Sequence, residues 1–140
     1  MSEKTLLIVE DDPDVRLGYN VLFRANHYRT IFAADALTAA TEARTHLPDL
    51  IILDLGLPGG DGFVVLERFR ANMKTAQIPV IVVSARDPHG NRDRALKAGA
   101  RAFVHKPFND IDLLALIRET LGDVSEPDAG PAPADPRVRR

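Results

Sequence analysis

The sequence predicts an α/β doubly wound sandwich, a (βα)5 unit whose parallel sheet runs in the order 2-1-3-4-5. Three observations predict it. Five short apolar runs recur along the chain: Leu6–Val9, Thr30–Ala33, Leu50–Leu53, Pro79–Val83 and Ala102–Val104. The segments between them carry apolar residues at helical spacing. The first, third and fourth runs do not alternate with polar residues, so both of their faces must be covered, as in a parallel sheet clothed by helices.

Taken in order, the first run is β-branched and ends at Glu10-Asp11-Asp12. The helix after it places Val15, Leu22 and Phe23 on one face with Tyr19 beside them, Pro13 at the first helical position and Asp12 as N-cap. The second and fifth runs are weaker and suit flanking strands. The second helix is alanine-rich, about Ala36 to His46, and stops before Pro48. The third follows Asp61-Gly62 and carries Phe63, Leu66 and Phe69; the fourth, about Gly90 to Ala98, ends at Gly99. The fifth begins near Asn109-Asp110 and is expected to bury Ile111, Leu114, Ile117 and Leu121. Strand–helix alternation with right-handed crossovers gives the doubly wound sheet, and such sheets bind ligands beyond the carboxyl ends of the strands where the strand order reverses.

A chain of 140 residues, 45% apolar and 27% charged, suits one globular domain. The expected domain is 1–122. Residues 123–140 are rich in Pro, Ala and Asp, lack apolar periodicity and are expected to be a disordered tail or linker. A net charge of -2 gives no reason to expect direct nucleic-acid binding. The absence of cysteine excludes disulfides, thiolate metal sites and cysteine nucleophiles, and agrees with a cytoplasmic location. No run approaches the ~20 apolar residues of a membrane span.

The chemistry lies at the strand ends. They deliver Glu10-Asp11-Asp12, then Asp54 with Leu55-Gly56-Leu57-Pro58, then Ser84-Ala85, and finally Lys106-Pro107-Phe108. Carboxylates crowded into one cleft repel, and a hard divalent cation with oxygen ligands relieves the repulsion. Mg²⁺ (or Mn²⁺) is therefore expected, with Asp12 and Asp54 as side-chain ligands, a backbone carbonyl near Gly56, and Asp11 acting through a metal-bound water. A carboxylate can attack phosphorus to form an acyl phosphate, which assigns Asp54 as acceptor. The charge spread over the transferring group needs cationic or donor partners, which Lys106 and Ser84 supply. Taken singly, each residue has a plainer reading: Asp12 as a helix cap, Asp54 as a turn residue, Ser84 as a strand residue, Lys106 as a solvated strand end. Together, at successive strand ends, they point to one site.

These four groups, with Asp61-Gly62 and Ala98-Gly99-Ala100, resemble the bacterial two-component response-regulator receiver family (CheY-like) from about Thr5 to Leu121. The resemblance implies a flavodoxin-like fold and a signalling phosphoacceptor that catalyses only its own phosphorylation and dephosphorylation. It also implies a sensor histidine kinase or phosphotransfer protein as donor. Ser84 would turn to the phosphate, Phe103 would pack into the space left, and the altered α4-β5-α5 face would be read by a downstream protein or a missing output domain. A cis bond between Lys106 and Pro107 is implied, as is tuning of the phosphoryl lifetime by the positions of Gly56 and Arg86. Where dimerising regulators of the family carry an acidic pair and an arginine, this chain reads Arg101-Ala102 and Leu116, so a monomer or weak dimer is expected.

Three rival functions fit these residues less well. A nucleotide- or flavin-phosphate module would need a glycine- or hydroxyl-rich loop after the first strand, not three acids. A phosphatase of the haloacid dehalogenase type usually has a second aspartate two residues after the nucleophile, where this chain has Gly56. A non-phosphorylated receiver-like interaction scaffold would not require the acids, Ser84 and Lys106 to be intact.

Overall fold

The structure is a computed structural model that describes residues 3–57 and 62–122. The expected tail at 123–140 and the Pro58 and Asp61 positions of the third-strand motif lie outside the described residues. The element order is β1 (Thr5–Val9), α1 (Pro13–Ala25), β2 (Arg29–Ala33), α2 (Ala36–His46), β3 (Leu50–Asp54), α3 (Gly62–Ala71), β4 (Val80–Ser84), α4 (Pro88–Lys97), β5 (Ala102–His105) and α5 (Asp110–Leu121). The strands form one parallel sheet in the order β2-β1-β3-β4-β5.

Alternate residues of the central strands feed two cores, as the pleat requires. Leu7, Val9, Ile51, Leu53, Val80 and Val82 point to one face, where they meet Ala39 and Ala43 of α2, Phe63, Leu66 and Phe69 of α3, and Ala95 of α4. Leu6, Ile8, Leu50, Ile52, Ile81 and Val83 point to the other, against Tyr19 and Phe23 of α1 and Leu113, Leu114 and Ile117 of α5. The unbroken apolar runs of β1, β3 and β4 are thus explained by burial on both sides.

Two details depart from expectation. Ile111 is 56% exposed, whereas Leu113 is buried. At ~100° per residue, Ile111 lies some 200° round the helix from Leu113 and faces solvent in the first turn. In α4, His89 and Gly90 have non-helical backbones, Gly90 with φ 81°, so the regular helix starts after them. Its end follows the expected glycine stop. Gly99 takes φ +113°, its N–H donates to the Leu96 carbonyl, and the Ala100 N–H donates to the Ala95 carbonyl, the Schellman pairing that only a left-handed residue permits cheaply.

Gly62 has a different reason for being glycine. A Cβ built there would lie 2.6 Å from Leu55 Cα and 2.9 Å from the Leu55 carbonyl oxygen. The first turn of α3 therefore rests on the backbone just beyond Asp54, and Leu55 itself is fully buried. Gly62→Ala is expected to lower stability by about 1–3 kcal/mol, the ordinary cost of overpacking, because backbone rather than a flexible side chain must give way. A denaturant titration comparing midpoints at constant slope measures it.

Candidate functional site

Register brings the expected residues to one edge. Val9 pairs with Leu53, so Glu10 and Asp54 are the next residues outward on adjacent strands. Asp54 pairs with Val83 and Ser84 with His105, and the Lys106 N–H donates to the Ser84 carbonyl at 2.8 Å, extending the β4–β5 ladder by one step. Phe108 holds the following loop against α1, its ring stacked on Tyr19 at 6.3 Å. The Lys106–Pro107 peptide bond is cis.

At the centre is the Asp54 carboxylate, 15% exposed. Its Oδ1 accepts the Gly56 N–H at 2.8 Å and its Oδ2 faces the Lys106 ammonium at 3.2 Å. Lys106 also reaches Glu10 Oε1 at 3.5 Å. Ser84, buried, accepts the Arg86 N–H on its Oγ at 2.9 Å, and the Arg86 guanidinium reaches back to the Leu55 carbonyl at 3.5 Å. Arg86 therefore bridges the loops that follow β3 and β4. Phe103 is 5% exposed and belongs to the core cluster with Val82, Ala95 and Ala100, inside the α4-facing layer.

Carboxylate oxygens of Glu10, Asp11 and Asp54 lie within 4.8 Å of one another. The Asp12 carboxylate is instead engaged as the N-cap of α1, accepting from the N–H groups of Asp14 at 2.8 Å and Val15 at 3.4 Å. Of three consecutive acids, the helix takes the last and the strand edge presents the first two. Glu10, to which the sequence reading gave no role, is the most buried of the three, and its Oε2 also accepts the Asp12 N–H at 3.2 Å.

Burial and neighbouring charges together shift the groups of the cleft. Burial pushes the Glu10 carboxyl up to about 7; its hydrogen bond with Asp54 and that residue's charge add to the rise, while the Asp12 N–H and Lys106 oppose it. Burial disfavours the Lys106 ammonium, but Asp54 and Glu10 outweigh it, and the net direction is upward. A carboxyl whose folded pKa exceeds the unfolded value of 4.5 binds its proton more tightly in the folded state. Glu10 therefore removes stability as pH rises from 4.5 through about 7. In metal-free protein, melting temperatures of wild type and Glu10→Gln are expected to converge at the acid end of that window and to diverge at its neutral end, with wild type the lower. A difference independent of pH would contradict this.

An oxygen-only donor set with one buried and one exposed acid beside Asp54 fits a small hard cation that keeps several waters. Softer metals would want nitrogen or sulfur donors.

With this geometry in view, the family is clear. The response regulator receiver domain family matches residues 6–118, and the chain belongs to it. The chain is a signalling receiver domain of the two-component kind. It is 36% identical over 118 residues to the response regulator PleD of Caulobacter vibrioides, covering 84% of this chain and 26% of PleD. To the transcriptional activator protein IrlR of Burkholderia pseudomallei it is 39% identical over 116 residues, covering 83% of this chain and 49% of that protein. With the phosphate regulon transcriptional regulatory protein PhoB of Escherichia coli it shares 31% identity, covering 87% of this chain and 53% of PhoB. The chain thus spans about a quarter to a half of the length of these relatives. Among solved structures, a CheY-like response regulator receiver domain protein of Methanospirillum hungatei superposes with TM-score 0.81 at 29% identity, covering 87% of this chain and 96% of that one. The receiver domain of a Pseudomonas aeruginosa sensor histidine kinase, solved with a magnesium ion coordinated in its active-site cleft, gives TM-score 0.79 at 28% identity, covering 86% of this chain and 99% of that one.

Proposed function

We propose that this receiver domain accepts a phosphoryl group on Asp54 in a Mg²⁺-dependent reaction and transmits the change through its α4-β5-α5 face. The observation that carries the reading is the carboxylate of Asp54 at the end of a central strand, with a lysine ammonium at 3.2 Å and two further acids beside it. A nucleophile, a cation for the incoming negative charge and an oxygen-lined metal position are gathered within one cleft.

Asp11 and Asp54 are the residues that would hold Mg²⁺ or Mn²⁺ directly, with the Gly56 carbonyl, and Glu10 would act through water. Asp12, whose carboxylate caps α1, is left out of this proposed ligand set. Bound Mg²⁺ supplies positive charge that offsets the acids and the phosphoryl oxygens. In the reaction an Asp54 oxygen forms the bond to phosphorus while the donor's bond to phosphorus breaks, and the electron pair leaves with the donor. Lys106 stabilises one phosphoryl oxygen. Ser84 Oγ, which now accepts the Arg86 N–H, has a hydroxyl proton to donate to another. Gly56 and Arg86 flank this position and would set access of hydrolytic water. Phe103, packed beneath α4, would carry the change to the partner face by population shift between two packings.

A cytoplasmic location is proposed for the chain, with a sensor histidine kinase or phosphotransfer protein as donor and a downstream protein or an output domain as target. Among the described residues no helix is long and apolar enough to cross a membrane.

The metal assignment makes a separable prediction. Asp11→Asn is expected to weaken Mg²⁺ binding by about tenfold or more, in line with loss of a charged ligand. Asp12→Ala is expected to lower stability by about 1 kcal/mol, as loss of a cap does, with little change in Mg²⁺ affinity. Calorimetric titration with Mg²⁺ beside thermal melts separates the two; the reverse pattern would restore Asp12 as the ligand.

The function itself is tested by incubating the protein with labelled acetyl phosphate and Mg²⁺. The expected product carries one acyl phosphate, released by mild alkali or hydroxylamine. Label that resists both, or no label, would refute acceptance on a carboxylate, and the latter result would leave an interaction scaffold.

A further inference from the structure

We propose that Arg16 is a positioning residue for the acid pair, holding the β1–α1 loop in the shape that presents Glu10 and Asp11 to Asp54. This rests on the reading of the cleft as a metal-dependent phosphoryl-acceptor site, and adds to it a residue outside the cluster of carboxylates.

A single nitrogen, Arg16 Nη1, donates to the Glu10 carbonyl at 2.9 Å and to the Asp11 carbonyl at 2.9 Å. Arg16 lies in the first turns of α1 and is half-buried, so its side chain folds back over the loop that precedes its own helix. Further polar groups of that loop are also committed. The Glu10 N–H donates to the Ala33 carbonyl at the end of β2, at 2.9 Å. The Asp12 N–H donates to Glu10 Oε2, and the Asp12 side chain caps α1.

The loop needs such a restraint. Three consecutive acids repel one another, and the natural relief is for the exposed Asp11 to swing into solvent, away from buried Glu10 and from Asp54. Two adjacent carbonyls bound to one guanidinium nitrogen fix the peptide planes on either side of the Asp11 Cα. That fixes the direction in which the Asp11 Cα–Cβ bond leaves the backbone. The positive charge also lies beside a loop whose carbonyl dipoles and side chains are negative. Outer partners that orient ligands commonly matter about 10–100-fold in metal affinity or activity.

Arg16→Met tests this, because it keeps a long apolar stem over the loop and removes every donor. Arg16→Lys keeps a cation able to donate to both carbonyls. The probes are Mg²⁺ alone, by calorimetry, acetyl phosphate as a donor that needs no kinase docking, and amide hydrogen exchange at Glu10 and Asp12. Arg16→Met is expected to bind Mg²⁺ about tenfold more weakly or worse, to label more slowly at subsaturating Mg²⁺ with recovery at high Mg²⁺, and to exchange faster at those amides. Arg16→Lys is expected to recover most of the affinity. A folded Arg16→Met protein with wild-type Mg²⁺ affinity would overturn the proposal, as would unchanged amide exchange. Wild type that neither binds Mg²⁺ nor takes label would count against the reading of the cleft. In that case the positioning role is decided by exchange alone: faster in Arg16→Met supports it, unchanged overturns it.

Discussion

Asp54→Asn is expected to reduce phosphoryl acceptance by about 10⁴-fold or to background while leaving the fold intact. The side chains match in shape, and the amide oxygen can still accept the Gly56 N–H that Asp54 Oδ1 accepts at 2.8 Å. What is lost is the anionic nucleophile. The substitution should also relax its neighbour. Burial is the largest cause of the raised Glu10 pKa, and the hydrogen bond and charge of Asp54 add to it, so Glu10 should titrate below about 7 once Asp54 is neutral. Lys106 keeps Glu10 as a partner at 3.5 Å. The variant should therefore be at least as stable as wild type near neutral pH in the absence of metal. Incorporation from acetyl phosphate and a carboxyl titration followed by NMR check the two halves independently.

Lys106→Ala is expected to slow phosphoryl acceptance by about 10²–10³-fold, the usual cost of deleting one donor aimed at developing negative charge. Its ammonium is the cation 3.2 Å from Asp54. Stability should change less than activity, because burial disfavours the Lys106 ammonium and offsets much of what its pairing with Asp54 contributes. The direction has a pH signature. Without Lys106, one of the influences lowering the Glu10 pKa disappears, so the carboxyl should titrate higher than about 7. Single-turnover labelling at saturating Mg²⁺ measures the rate effect. A rate within twofold of wild type would remove Lys106 from the phosphoryl site.

Much of this could be read from the residues. The unbroken runs at Leu6–Val9, Leu50–Leu53 and Val80–Val83 encode strands buried on both faces, and the two interleaved cores are the direct result. Pro13 after Asp12, and Gly99 after the last turn of α4, marked helix ends that the structure keeps. Asp54 and Ser84 stand at strand ends because the apolar pattern stops immediately before them, and Lys106 follows the last residue of β5. Three things were less legible. The arrangement of Glu10, Asp11 and Asp12 depends on register, since the Val9–Leu53 pairing puts Glu10 beside Asp54 at the strand edge while the helix takes Asp12. Ile111 was misplaced because periodicity gives the width of an apolar stripe but not which edge of it meets the sheet. The Arg16 and Arg86 contacts go to backbone carbonyls, and a carbonyl leaves no trace in residue identity.

The central claim is acceptance of one phosphoryl group by Asp54 with the help of a divalent cation. Intact mass after incubation with acetyl phosphate, with Mg²⁺ or with a chelator, on wild type and Asp54→Asn, tests it most directly. The account predicts a gain of one phosphoryl mass (~80 Da) in wild type with Mg²⁺ and no gain in the other three samples. Equal gain in Asp54→Asn, or no gain in wild type with Mg²⁺, would contradict it.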